Sequence, residues 1–364
     1  SVFDSPLDCN IDAHCNNETD TFFENENVVS IELLEILKQS KCPLYMFDKI
    51  MDWARKANSF YKYIFEFKEA AITRKKVLKS LNDKYELNSM MPQTTTIFLN
   101  GVNANVDVVW HDFEQCLLSL LNDKELMKPE NLLLGQNPNP NKLDDINSGS
   151  VYINAQKIYV KDKENEILIP IIFFADKTHT DLNSRLCLEP IQFTLGIFNR
   201  NTRNKAFAWR TIGYNNELCY KSKIETKIKM QDYNQIMNIV LDSYKTCQKK
   251  QLQWKFEING EQKLLNTLFV IGDTEGHDKM CGRMGCRRVI SHLCRYCNTD
   301  RENIDNPHFK YEHTKMKDVT KKNKKNKEDD LKKMSMFCVK NAWHDLQYCD
   351  PNRGLHGATL AELL

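Results

Sequence analysis

Apolar residues recur at helical spacing near the start of the chain. Ile31, Leu33, Leu34, Ile36 and Leu37 follow Ser30, which serves as an N-cap. Met46, Phe47, Ile50, Met51 and Trp53 then form an apolar stripe over 45–58. A third helix is expected over 69–84. Its basic face (Arg74, Lys75, Lys76, Lys79) is read as solvated. At Thr94–Leu99 and Val106–Trp110 the period shortens around Asn100-Gly101, the pattern of a β-hairpin. Asp112 follows as the cap of a helix built on Phe113, Cys116, Leu117, Leu120 and Leu121. The Pro-Asn repeats at 136–141 break regular structure and mark a linker close to a domain boundary.

From residue 151 the spacing favours strands. These are expected at Val151–Val160, Glu166–Ala175, Cys187–Phe198 and Ala206–Tyr214, then a helix over Met230–Lys250, a short strand at Gln253–Ile258 and another at Leu264–Gly272. Ile167, Leu168, Ile169, Ile171, Ile172, Phe173 and Phe174 leave no polar side, as in a central strand covered on both faces. The fold class expected is α/β. Four segments are expected: 1–27, acidic and poorly ordered; 28–150, helical with the hairpin; 151–278, a strand-rich core; and 279–364, a Cys/His-rich and basic region.

Composition adds two things. With 41% hydrophobic residues and 27% charged ones, a collagen-like or mainly disordered chain is excluded. The formal charge of +2 hides a split: residues 1–150 hold 15 Lys and Arg against 23 Asp and Glu (net −8), and the remainder holds 36 against 26 (net +10). The basic half suits contact with a polyanion. No apolar run is long enough to span a bilayer, so no membrane partner is expected. The chain starts at Ser1 without an initiator Met or a secretory signal and is read as a fragment or processed product, its thiols reduced.

Two expected strands end in aspartate: Asp176 after IIFFA and Asp273 after LFVIG. Such carboxylates either cap a loop or share a divalent cation at a cleft, where Mg²⁺ or Mn²⁺ would bridge to a phosphate. Residues 277–356 hold six of the thirteen Cys and six of the nine His. Cys294-Arg295-Tyr296-Cys297 has the spacing of a zinc knuckle or a redox pair, and no strand-to-helix setting for the latter is visible. Structural Zn²⁺ on Cys281, Cys294 and Cys297 is expected, with Cys286, His292 or a later His as fourth ligand. The Lys-rich run 315–333 is read as a solvated flexible loop. Arg283, Arg287, Arg288 and Arg295 are better placed to clamp a nucleic-acid backbone.

The ordered series IPIIFFADKTHTD, CLEPIQFTLGIFNRNTRNKAFAWRTIGY, LFVIGDTEGHDKMCGR and LCRYC resembles Plavaka-like transposases, of the Kyakuja–Dileera–Zisupton group related to CACTA elements. The likeness runs over roughly 43–364 and is strongest over 167–300. It implies an RNase H-like mixed sheet with a DDE triad, whose first two members fall on Asp176 and Asp273. It also implies metal-dependent cleavage and strand transfer of double-stranded DNA in the nucleus, and a structural zinc in an insertion after the second Asp. Homo-oligomerisation is left open for the full-length protein. The family's third acid lies on a helix downstream. Glu362 belongs instead to an acidic-Leu-Leu-His motif, so the chain is expected to be truncated before the triad is complete. The alternative is a decayed or domesticated zinc-stabilised DNA- or protein-binding module without catalysis.

Overall fold

The computed structural model describes residues 33–38, 45–60, 91–137, 139, 142, 144–179, 187–216, 218–220, 223–257, 260–271, 274–285 and 291–357. The acidic segment 1–27, Ser30 and the helix expected at 69–84 lie outside these residues. Two compact units divide at Asn88/Ser89. In the first, residues 33–38 are helical and α1 spans Tyr45–Phe60. Leu37 and Phe47 are buried there, with Leu33, Leu34, Met46, Ile50 and Met51 packed around them.

The second unit is a mixed α/β body. Its strands are β1 (Gln93–Leu99), β2 (Ala104–Trp110), β3 (Glu166–Ala175), β4 (Thr178–His179), β5 (Cys187–Leu195), β6 (Arg210–Asn216), β7 (Gln253–Phe256) and β8 (Gly260–Ile271). The sheet runs β1-β2-β6-β5-β3-β8-β7, with β4 paired to β5. Every pairing is antiparallel except that of β3 with β8, which runs parallel from Glu166↔Lys263 to Phe174↔Ile271 without a bulge. The helices are α2 (Phe113–Leu121), α3 (Ser150–Tyr159), the single turn α4 (Arg200–Arg203), α5 (Thr226–Val240), α6 (Asp242–Lys250), α7 (Thr274–Cys281), α8 (Met316–Lys324) and α9 (Glu328–Lys333).

The all-apolar sequence of β3 follows from its position between two cores. Ile167, Ile169, Ile171, Phe173 and Ala175 point to one side, packing with residues of α2, α5 and α6. Leu168 and Ile172 point to the other, against Tyr152 and Ala155 of α3 and Leu265 and Phe269 of β8. A strand covered on both faces has no place for a polar side chain until its end. Its first polar residue beyond Ala175 is Asp176.

The hairpin forms at the expected residues, and Asp112 caps α2, its Oδ1 accepting from the Gln115 amide at 2.9 Å. Such a cap is worth about 1 kcal/mol. The hairpin does not stay with the N-terminal region, however. β2 joins β6 where Trp110 faces Gly213, and the expected boundary near 136–150 falls inside the second unit. A Cβ on Gly213 would meet Val240 Cγ1 at 2.7 Å, so glycine is what lets α5 lie this close to β6.

Two further expectations are corrected. The strand expected at Val151–Val160 is instead the helix α3. Tyr152, Ala155 and Tyr159 fall on one face at helical spacing, and that face covers β3. The run 315–333 is no flexible loop. It folds as α8 and α9, because two isolated apolar residues, Val319 and Leu331, reach the main core while the lysines stay outside. The helix expected over 230–250 starts earlier and divides at Leu241 into α5 and α6. No helix among the described residues is long and apolar enough to cross a membrane.

Candidate functional site

The carboxyl ends of β3, β6 and β8 lie at one edge of the sheet, because β6 and β8 run in the direction of β3. Crevices beyond such strand ends are where α/β sheets hold ligands. Asp176 stands there, exposed, one residue past β3. Counting along the parallel register, Phe174 is opposite Ile271, so Asp176 and Asp273 are each two residues beyond that last pair. Asp273 itself lies outside the described residues. α7 begins immediately after it, at Thr274.

The same edge carries groups that the sequence reading overlooked. Glu189 of β5 is only 4% exposed. Its Oε2 accepts from Lys279 Nζ of α7 at 2.7 Å and from Asn215 Nδ2 of β6 at 2.5 Å. Lys279 also stands 4.2 Å above the ring of Tyr233 on α5. This ion pair therefore ties α7 to β5, across the end of β3. The visible signal was an acid inside the largely apolar strand CLEPIQF. A buried carboxylate needs a charged partner, and the one it meets lies ninety residues away in sequence. Lys177, Lys229, Tyr220 and Leu218 complete a cavity of about 280 Å³. A larger groove of about 740 Å³ runs along α3, where Asn154, Lys157, His313, Lys315 and Arg353 meet.

The cysteine region is arranged differently from the expected four-ligand set. Cys294 and Cys297 lie side by side: burial, then the neighbouring Cys297, pushes the Cys294 thiol up to about 11. Cys297 Sγ is also 3.0 Å from Thr299 Oγ1. Cys281 is buried in α7 and donates to the Leu355 carbonyl, its thiol pushed up to about 12 by burial. Cys286 lies outside the described residues. His292 donates its amide to Ser335 Oγ, and burial lowers its imidazole pKa. Among the described residues, no three His, Cys, Asp or Glu side chains converge as a metal-binding group. The CxxC pair thus offers two adjacent sulfurs, half of a tetrahedral shell.

Of the four arginines, Arg283 and Arg295 are described and both are buried. Arg283 reaches Asp278 at 3.3 Å and donates to the His292 carbonyl. Arg295 donates to Tyr296 Oη and stacks 4.9 Å over that ring. Both guanidiniums are occupied in bracing this region. Arg287 and Arg288 lie outside the described residues.

A search of curated proteins gives no match. A family model described as Plavaka transposase matches residues 75–362, which takes in the whole sheet, the strand-end aspartates and the CxxC region. With most of its length matched, the chain belongs to the Plavaka transposase family.

Proposed function

We propose that the second unit carries the first part of an RNase H-like nuclease core, in which Asp176 and Asp273 bind a divalent cation and act in the cleavage and strand transfer of double-stranded DNA. The observation that carries this reading is the unbroken parallel register of β3 with β8, in which both aspartates follow the last paired residues by the same two positions. The sheet order β6-β5-β3-β8 supports it: the likeness to these transposases implies acids after the first and fourth core strands, and β3 and β8 are the first and last of these four along the chain.

The residues suit a hard cation. Asp176 is an exposed carboxylate at a strand tip, and oxygen donors are what Mg²⁺ and Mn²⁺ prefer. Bound there, the ion would polarise a phosphodiester and lower the pKa of an attacking water or hydroxyl. The chain's own contribution is placement. β3 holds Asp176 at its tip, Asp273 follows the last paired residue of β8 by the same two positions in sequence, and the Glu189–Lys279 pair holds down α7. In the groove along α3, Arg353 is paired with Asp350 at 2.7 Å, and Lys157 and Lys315 supply the charge that a DNA backbone could follow. The site of action would be the nucleus.

In the full-length protein, Mg²⁺-dependent nicking of duplex DNA is expected to fall about a thousandfold in Asp176→Asn, equivalent to about 4 kcal/mol of transition-state stabilisation. Salt-sensitive DNA binding should survive the substitution. Binding without any nicking in the wild type would instead identify a module that holds DNA without cutting it.

Zinc is assigned to the Cys294–Cys297 pair, supported by their adjacency and by the zinc implied for the family's insertion. Elemental analysis of the purified protein should find one zinc, lost in the Cys294→Ser/Cys297→Ser double variant. Zinc retained by that variant would remove the assignment.

A further inference from the structure

The cavity between β5, β6, α5 and α7 has a composition that neither cation binding nor backbone tracking requires. Its floor is the network of Glu189, Asn215 and Lys279, and its rim carries Lys177 and Lys229. Lys279 is neutralised by Glu189, so the positive charge offered to a ligand is that of the two rim lysines, both exposed. Lys229 Nζ stands over the ring of Tyr220, 4.9 Å from its centroid, so a cation and an aromatic ring are within reach of a single small ligand, and a base lying against that face would displace the lysine towards its phosphate. On the floor, Glu189 Oε2 accepts from both Lys279 and Asn215, and a carboxylate and an amide carbonyl each have capacity to accept further hydrogen bonds.

From these features we infer that the cavity receives one unpaired nucleotide of the DNA strand bound at Asp176; the inference rests on the nuclease reading above. The chemistry is matched part by part. A base can lie against Tyr220, since aromatic side chains bind bases through their faces. Its phosphate can meet Lys177 or Lys229. The exocyclic amino group of adenine, cytosine or guanine can donate to the acceptors of Glu189 and Asn215, while thymine has no such group. About 280 Å³ admits one nucleotide and excludes a duplex, so the base must leave its stack to enter. The location fits as well: Lys177 of the rim is the residue after Asp176.

The test uses the full-length protein in metal-free buffer, where no strand is cut. Fluorescence anisotropy compares a perfect duplex with the same duplex carrying one bulged deoxyadenosine or one bulged thymidine, and free deoxyadenosine monophosphate is titrated as competitor. The adenosine bulge is expected to bind about tenfold more tightly than the duplex, the scale of one base–aromatic contact. Thymidine should show less of this preference. Tyr220→Ala should erase it and Tyr220→Phe retain it, with melting temperatures checked so that unfolding is not mistaken for lost contact.

Equal affinity for bulged and perfect duplex overturns the assignment. A preference that persists in a folded Tyr220→Ala variant does the same, as does free nucleotide binding as tightly as bulged DNA. A protein that nicks DNA without preferring the bulge overturns the cavity alone, whereas one that binds no DNA overturns both readings.

Discussion

Acidification from pH 7 to about 4.5 is expected to destabilise the second unit by several kcal/mol, through histidines held neutral in its interior. Burial lowers the pKa of His277 to about 4, and Arg295 adds to the effect. Burial likewise lowers His344 to about 4. His356 is driven well below the ordinary range by burial and by its histidine neighbours, the ring of His344 lying 5.6 Å away. Unfolded histidines take up protons near pH 6.5. Between that pH and about 4 the unfolded chain therefore binds more protons than the folded one, and stability falls as pH falls. The contribution is complete above pH 6.5 and is lost towards the folded pKa.

At about 1.4 kcal/mol per pKa unit, each of the two histidines near 4 contributes at most about 3 kcal/mol. Urea unfolding at pH 7 and pH 4.5 measures the loss, and replacement of His344 by leucine should reduce the difference. An unfolding free energy that stays flat across this interval would count against the mechanism.

Truncating Phe173 to alanine is expected to cost about 3–5 kcal/mol, the range for removing a buried aromatic ring. Phe173 is 1% exposed, and its ring meets Phe113, Phe193, Tyr244 and Trp343 edge-on, with centroids 5.0–6.2 Å away. These four partners come from α2, β5, α6 and the segment after α9, so one side chain fastens four separate parts of the chain to β3. Phe173→Leu keeps most of the volume and should lose far less. Denaturant midpoints of the two variants give the comparison, and a loss below about 1 kcal/mol for alanine would show that this junction can collapse around the void. Because Phe173 precedes Asp176 by three residues, the alanine variant should also loosen the strand end on which the acid stands.

What could be read from the sequence follows from where neighbouring residues decide the outcome. β3 was legible because a strand buried on both sides has no polar interruption, β8 because its apolar run is broken only at Asn266-Thr267, and the cap at Asp112 because capping is local. α3 was misread: ten residues with β-branched members satisfy both periods, and only the opposing sheet selects the helix. α8 and α9 were missed because a single buried residue in each, Val319 and Leu331, sets no period at all. Asp176, exposed one residue past β3, was legible as a strand-terminal acid. The Glu189–Lys279 pair was not, since its partners lie ninety residues apart and meet only through the sheet.

The parallel pairing of β3 with β8 also has a consequence for assembly. The two strands are neighbours in the sheet, yet the chain must complete β5, β6, α5, α6 and β7 before β8 can dock. Closing so long a loop is entropically unfavourable and slow, and it gives no return until the strands zip together. β3 and β8 therefore pair late in folding. A nascent or misfolded chain would lack this pairing, and on the nuclease reading proposed above its chemistry would stay silent until the fold is finished.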